Sequence, residues 1–172
     1  MVKVGKPAPT FTLQGYYDDK FQEYSLSDYK GKWVVFFFYP LDFTFICPTE
    51  VTGFSKHIQD FKDLNTVVLG CSVDSVHSHK AWEKELGKFE YPLLSDIRKE
   101  VGRMYNVLDE DEGTNLRATF VIDPEGIVQY HLVNSNDIGR NIGEIIRVVS
   151  ALQSGELCPV DWTPGEKTLG KA

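Results

Sequence analysis

Apolar residues are distributed along the chain in two rhythms, unbroken runs of strand length and repeats at helical spacing. Lys32 to Tyr39 is aromatic and β-branched almost throughout, which predicts a central strand buried on both faces and ended by Pro40. Thr66 to Val73 repeats that pattern. Between them Val51, Phe54, Ile58 and Phe61 recur every three or four residues, so one helix joins the two strands. A strand-helix-strand unit of that kind implies parallel pairing. Lys80 to Leu86 and Lys99 to Tyr105 read as further helices, and Ala118 to Ile122 and Ile127 to Val133 as strands. The turn Asp123-Pro124-Glu125-Gly126 makes those two strands a hairpin. Ile142, Ile145, Ile146, Val149 and Leu152 form the apolar stripe of a long helix that Gly155 is placed to stop. The order of elements predicts an α/β layer fold.

After Gly155 the periodicity fades and Pro159, Pro164 and Gly165 accumulate, so residues 1–155 are expected to form one domain and 156–172 an extended C-terminal arm. Ile127 to Val133 is an apolar strand expected at a sheet edge, where a second copy of the chain would pair, which predicts a dimer. A length of 172 residues, 42% of them hydrophobic, suits a single compact domain. The formal charge of −7, with no Lys/Arg cluster, argues against nucleic acid as a partner. Met1 to Lys20 contains no apolar core of signal-peptide length, and Trp33 to Phe38 is too short to cross a bilayer. A soluble, cytoplasmic protein is expected.

Cys47, Cys71 and Cys158 are too few and too scattered for the disulfide framework of a small secreted domain. Each thiol therefore either packs as a small apolar group or does chemistry. Cys71 lies inside an apolar strand without a basic neighbour in sequence, so burial is its expected role. Cys47 instead opens a helix, with Pro48 where a missing N–H costs nothing. Free N–H groups and the positive end of the helix dipole favour a thiolate there. Complete ionisation gains only roughly 30-fold in rate, about 2 kcal/mol, because a free thiol is already a few per cent ionised at neutral pH. Part of even that gain is lost, since nucleophilicity falls with basicity. Catalysis at Cys47 would further need donors aimed at charge that develops in the transition state. His77 and His79, two residues apart, do not share a helix face and suggest no metal site.

Pro40, Thr44 and Cys47 reproduce the P-x-x-x-T-x-x-C motif within FFFYPLDFTFICPTE, and that string resembles the peroxiredoxins. The similarity extends through Gly70-Cys71-Ser72-Val73-Asp74-Ser75, Arg117 in RATFVID, and Gly155-Glu156-Leu157-Cys158-Pro159. It is that of a typical two-cysteine peroxiredoxin of the bacterial alkyl hydroperoxide reductase C type. The resemblance implies a thioredoxin-like fold with a central mixed sheet flanked by helices. It implies that Cys47 is the peroxidatic cysteine, that Thr44 and Arg117 hold the substrate oxygens, and that Pro40 shields the thiolate. Glu50 and Arg140 would brace Arg117, and Cys158 would resolve the oxidised Cys47 as a disulfide between the subunits of a homodimer. The first turn of the helix would have to unwind, because a disulfide needs its two Cα atoms within about 7 Å. Hydrogen peroxide and organic hydroperoxides are the implied substrates, and a thioredoxin-like protein or a flavoprotein disulfide reductase is the implied electron donor. No metal or organic cofactor is implied.

Relatives of this kind join as decamers of five dimers, and Ser75 to Trp82 falls where those dimers meet, so His77 is expected near that contact. Peroxide-sensitive relatives carry a Gly-Gly-Leu-Gly insert and a C-terminal Tyr-Phe helix. Glu85-Leu86-Gly87-Lys88-Phe89 stands in place of the insert, and the chain ends at Ala172, so resistance to over-oxidation is expected. Two other readings stay open at this point: a ring-forming holdase chaperone, and a thiol-disulfide oxidoreductase. The latter normally carries Cys-x-x-Cys, where this chain has Cys47-Pro48-Thr49-Glu50.

Overall fold

A computed structural model describes residues 2–171. The part of it that ends at Arg140 is one compact unit, and the part that starts at Asn141 is a second. In chain order the first unit contains β1 (Thr12–Tyr17), β2 (Lys20–Ser25), β3 (Trp33–Phe38), α1 (Cys47–Lys56), α2 (Ile58–Asp63), β4 (Thr66–Ser72) and α3 (Val76–Leu86). It continues with β5 (Leu93–Ser95), α4 (Glu100–Met104), β6 (Leu108–Asp109), β7 (Thr114–Asn115), β8 (Arg117–Ile122) and β9 (Val128–Asn134). Seven strands form one mixed sheet in the order β2-β1-β5-β4-β3-β8-β9. β3, β4 and β5 run parallel, as the strand-helix-strand unit required, while β1 and β8 pair antiparallel to their neighbours.

β3 is buried on both faces because its aromatic side chains alternate between two apolar layers. Phe36 stacks on Phe11 with centroids 4.7 Å apart and meets Tyr105 edge-on at 5.3 Å. Phe37, on the other face, stacks on Phe54 at 4.2 Å and packs against Tyr91 at 5.8 Å. β9 lies at the sheet edge and is half exposed, as its sequence suggested. The β8–β9 turn is fixed by Asp123, whose Oδ1 accepts the N–H groups of Glu125 and Ile127, and by Gly126 at φ 85°.

Three features differ from the sequence expectation. The first is the hairpin β1–β2, which turns through Asp18 and Asp19, both at positive φ (49° and 59°), without the glycine that usually marks such a turn. The second concerns the single helix expected over Val51 to Phe61, which is two. His57 interrupts it at φ −99° and ψ 10°, and its ring bonds Asp60 at 2.8 Å. Phe54 and Phe61 stay buried on both sides of the break, so the apolar stripe survives. Third, α3 starts at Val76, four residues before the expected helix, because the Ser75 hydroxyl accepts the Ser78 N–H and caps it.

In the second unit α5 (Ile142–Ser154) is capped by Asn141, whose side chain accepts the Glu144 N–H at 3.0 Å, and ends at Gly155 with φ 65°. The segment after it is irregular but ordered by its own bonds: Leu157 pairs through its backbone with Gly170 and Leu169, each at 2.8 Å. The Trp162 indole donates to Glu166 O at 3.0 Å. Among the described residues no helix is long and apolar enough to cross a membrane.

Candidate active site

The site is built where β3 ends. Pro40, buried and without an N–H, stops the strand. The chain then reaches α1 through residues 41–46, a segment held down by Asp42. That carboxylate is buried and accepts the Tyr39 hydroxyl at 2.8 Å, the Ser78 hydroxyl at 2.8 Å and a bond from His79 Nδ1 at 2.8 Å. The Asp42 N–H donates to Asp74 Oδ2 at 2.9 Å. His79 is thus a buried anchor for this segment, its Nε2 lying 3.2 Å from Leu94 O, while His77 is exposed and packs edge-on against Phe21 at 5.0 Å. Phe43 takes a left-handed conformation, φ 55°, which costs a non-glycine residue of order 1 kcal/mol. Neither Asp42 nor Phe43 was singled out from sequence, and an acidic residue inside the apolar string YPLDFTF was the one available sign. The Thr44 hydroxyl donates to Leu41 O at 3.0 Å, so its lone pairs remain free to accept from a substrate.

α1 begins at Cys47. No side chain caps it: Ile46 at the cap position already has helical angles, and Pro48 follows directly. Ile46 O accepts the N–H groups of Thr49 and Glu50 at 3.0 and 3.3 Å, closing the first turn. Cys47 has 0% of its surface exposed, more enclosed than the reactive position expected from sequence. Its surroundings are nevertheless charged rather than apolar, and they come from α1 itself, from the start of β8 and from Arg140.

Arg117 opens β8 one residue beyond the Phe38–Ala118 pair, which sets it beside the end of β3. Its Nη1 donates both to Cys47 Sγ at 3.3 Å and to Glu50 Oε2 at 2.6 Å, and its Nε donates to Asn136 O at 2.9 Å. Glu50 lies one turn into α1, on the face that carries Cys47. Its other oxygen accepts the Arg140 N–H at 3.0 Å, and the Arg140 guanidinium stands 3.5 Å from Oε2. Arg140 also donates to Phe38 O and lies over the Phe37 ring, 5.0 Å from its centroid. Burial works against the Arg117 charge, but the bond to Cys47 and the attraction of Glu50 outweigh it and hold its pKa above the usual guanidinium value. Arg140 is buried more completely, and burial brings its pKa down to about 10 although Glu50 opposes the change.

Cys47, Glu50, Arg117 and Arg140 are therefore brought together, and Pro40 and Thr44 lie on the segment that leads into Cys47. Cys158 belongs to the second unit, where it is partly exposed and 3.5 Å from the Ser154 hydroxyl. Cys71 is enclosed, and burial, reinforced by Asp96, pushes its thiol pKa well above the usual range, as expected of an inert thiol.

Residues 4–131 match the AhpC/TSA family. The chain is 51% identical over 180 residues to the chloroplastic 2-cysteine peroxiredoxin of Chattonella marina var. antiqua, an alignment covering 98% of this chain and 92% of that one. It is 47% identical over 173 residues to the mitochondrial thioredoxin-dependent peroxide reductase of Drosophila melanogaster, covering 95% and 74%. The crystal structure of reduced 2-Cys peroxiredoxin from Plasmodium vivax superposes with a TM-score of 0.93 at 42% identity, over 96% of this chain and 91% of that one. The mixed sheet with flanking helices is thus the thioredoxin-like fold of those proteins, and the chain belongs to the AhpC/TSA family of peroxiredoxins.

Proposed function

We infer that the protein is a thiol-dependent peroxidase that reduces hydrogen peroxide and organic hydroperoxides to water and alcohols. One observation carries the residue assignment: a single nitrogen of Arg117 bonds both the Cys47 sulfur and the Glu50 carboxylate. That nitrogen lies 3.3 Å from the sulfur on which the new sulfur–oxygen bond would form. The Cys47 thiolate attacks the terminal peroxide oxygen, the O–O bond breaks, and the departing oxygen takes a proton and leaves as water or an alcohol. The sulfur, oxidised by two electrons, is left as a sulfenic acid. Arg117 stabilises the negative charge on the departing oxygen, Thr44 accepts from the peroxide hydroxyl, and Pro40 keeps water from the sulfur. Glu50 and Arg140 hold the Arg117 fork in place, a role suited to a buried carboxylate between two guanidinium groups.

Residues 1–155 then serve as the catalytic domain and 156–172 as the arm that carries the resolving thiol. Cys158 of a second subunit attacks the sulfenic acid and releases water, forming an intersubunit disulfide. A dithiol donor, a thioredoxin-like protein or a flavoprotein disulfide reductase, returns both cysteines to thiols. The name of the Drosophila relative supports the former. The exposed β9 edge supports a homodimer, and five such dimers would form a decamer. Three unpaired cysteines suit a reducing compartment such as the cytoplasm.

Stopped-flow peroxide consumption tests the assignment. Cys47→Ser removes turnover altogether, and Cys158→Ser consumes one equivalent per subunit and then stalls with a thioredoxin-type reductant. Full turnover by Cys158→Ser would mean that one cysteine suffices. A Cys47→Ser variant as fast as wild type would end the proposal.

A further inference from the structure

At the end of the sheet opposite Cys47 is a cavity of about 420 Å³ that peroxide chemistry does not use. It exists because β5 is short. β4 pairs with β5 from Gly70 to Ser72, and β1 pairs with β5 at Gly15 and Tyr16, so the strands on either side separate beyond Leu93. Pro92 ends β5 there, its carbonyl accepting the Gly70 N–H at 3.1 Å. Strand groups alternate in direction with a period of two, so the N–H and C=O of Val68 face the gap without a strand partner.

The walls are partly aromatic. Tyr17, Tyr24, Tyr29 and Tyr91 line the cavity. The Tyr24 hydroxyl is buried, and among the described residues it meets no well-formed hydrogen-bond partner, the Gln22 amide being its polar neighbour. Burial raises its pKa, the neighbouring Gln22 amide opposing, so it stays a neutral donor at physiological pH. Lys32 and Lys62 line the same cavity, are exposed, and form no ion pair among the described residues. Glu90 is the acidic side chain in the lining.

We propose that this cavity binds a small planar aromatic anion, a carboxylate or sulfonate of one or two fused rings. The ring lies among the tyrosines and the acid faces Lys32 and Lys62. Four tyrosine rings in the lining favour an aromatic ring over an aliphatic chain. The volume, near the lower end of the roughly 300–1,000 Å³ common for ligand sites, favours a small molecule. Two uncommitted ammonium groups against one carboxylate set the sign of the ligand charge.

The probes are 2-naphthoate and its neutral counterpart 2-naphthamide, titrated into the full chain by calorimetry and by amide NMR. Naphthoate binds with saturation and shifts Val67 and Val68 but not Cys47 or Arg117. Naphthamide binds about 5-fold more weakly, the range expected for two exposed charge contacts. Lys32→Gln with Lys62→Gln removes that difference by weakening naphthoate alone, and Glu90→Gln tightens naphthoate. Peroxide turnover is the same in all these variants, since none touches the Cys47 site. The proposal is overturned if naphthoate leaves the Val67 and Val68 amides unmoved at millimolar concentration. It is equally overturned if the lysine variants bind naphthoate as wild type does, or if the shifts centre on Cys47.

Discussion

Replacing Arg117 by lysine separates the two contributions that the proposed mechanism assigns to it, favouring the thiolate and stabilising the breaking O–O bond. In the structure Nη1 reaches Cys47 Sγ at 3.3 Å and Glu50 Oε2 at 2.6 Å while Nε is tied to Asn136 O at 2.9 Å. Lysine keeps the positive charge but has one nitrogen on a flexible stem, so it cannot hold all three partners in one plane. The charge that favours the thiolate survives; the aimed donor does not. Loss of such a donor costs about 10²–10³-fold, or roughly 3–4 kcal/mol. Returning the thiol to the ionisation of an unperturbed cysteine would cost about 30-fold, roughly 2 kcal/mol. Stopped-flow rates with hydrogen peroxide should therefore fall by about 10²–10³ in Arg117→Lys. Alkylation of Cys47 by iodoacetamide, which uses the same thiolate but breaks no O–O bond, should fall by less than about 5-fold. Equal losses in the two reactions would refute the argument and make Arg117 a device for ionising the thiol.

Glu50→Gln should destabilise the fold by about 3–5 kcal/mol in urea unfolding, because it leaves the buried Arg140 guanidinium without a carboxylate and Arg117 with the Cys47 sulfur alone; a loss under about 1 kcal/mol would show that they are solvated. Alkaline pH should unfold the protein. Burial raises the pKa of Tyr39, Tyr91 and Tyr105, so their stabilisation is complete below the ordinary tyrosine value and is lost as pH rises through it. Together they remove about 4 kcal/mol per pH unit above about pH 10, against about 1.4 returned by Arg140, whose pKa is depressed. Unfolding midpoints that stay flat between about pH 9 and 11 would contradict this. Backbone exchange at Thr49 and Glu50 should quicken by about 10-fold when Cys47 becomes a sulfenic acid, measured by hydrogen exchange on Cys158→Ser after one equivalent of peroxide. Unchanged exchange would disconnect oxidation from opening of the helix.

What could be read from sequence depended on how local the cause was. β3 and β4 were legible because burial on both faces demands an uninterrupted apolar run, and Cys47 because a helix start with proline is a local pattern. The β1–β2 hairpin was not, since β2 is largely exposed and its turn forces two aspartates into positive φ without glycine. The break at His57 leaves the apolar spacing intact and so has no signature in that spacing. Arg117 lies 70 residues from Cys47 and Arg140 lies 90 from Glu50, so only family resemblance pointed to them. The buried Asp42 likewise depends on partners 36 and 37 residues away. No rule of spacing reports a register between distant strands.

In the proposed mechanism, the burial of Cys47 would impose opposite demands at successive steps. A thiolate enclosed with Arg117 at a helix start is held by its charge: a bond from a guanidinium to an anion is worth about 1.5–3 kcal/mol, and the helix terminus adds about 0.3–1. The same enclosure blocks a second cysteine, which must bring its Cα within about 7 Å. Oxidation relieves the conflict, because a sulfenic acid is neutral. The Arg117 bond falls to the neutral range of about 0.5–1.5 kcal/mol and the helix-end attraction goes with the charge. About 1–3 kcal/mol is thus withdrawn from a first turn closed at Ile46 O by the Thr49 and Glu50 N–H groups, at 3.0 and 3.3 Å, and by the Thr49 hydroxyl at 2.6 Å. That raises the population of the open turn by roughly 5- to 150-fold without any other residue changing. In the proposed mechanism, the charge that readies Cys47 for peroxide would therefore also keep its helix wound, and spending it on the first chemical step would prepare the second.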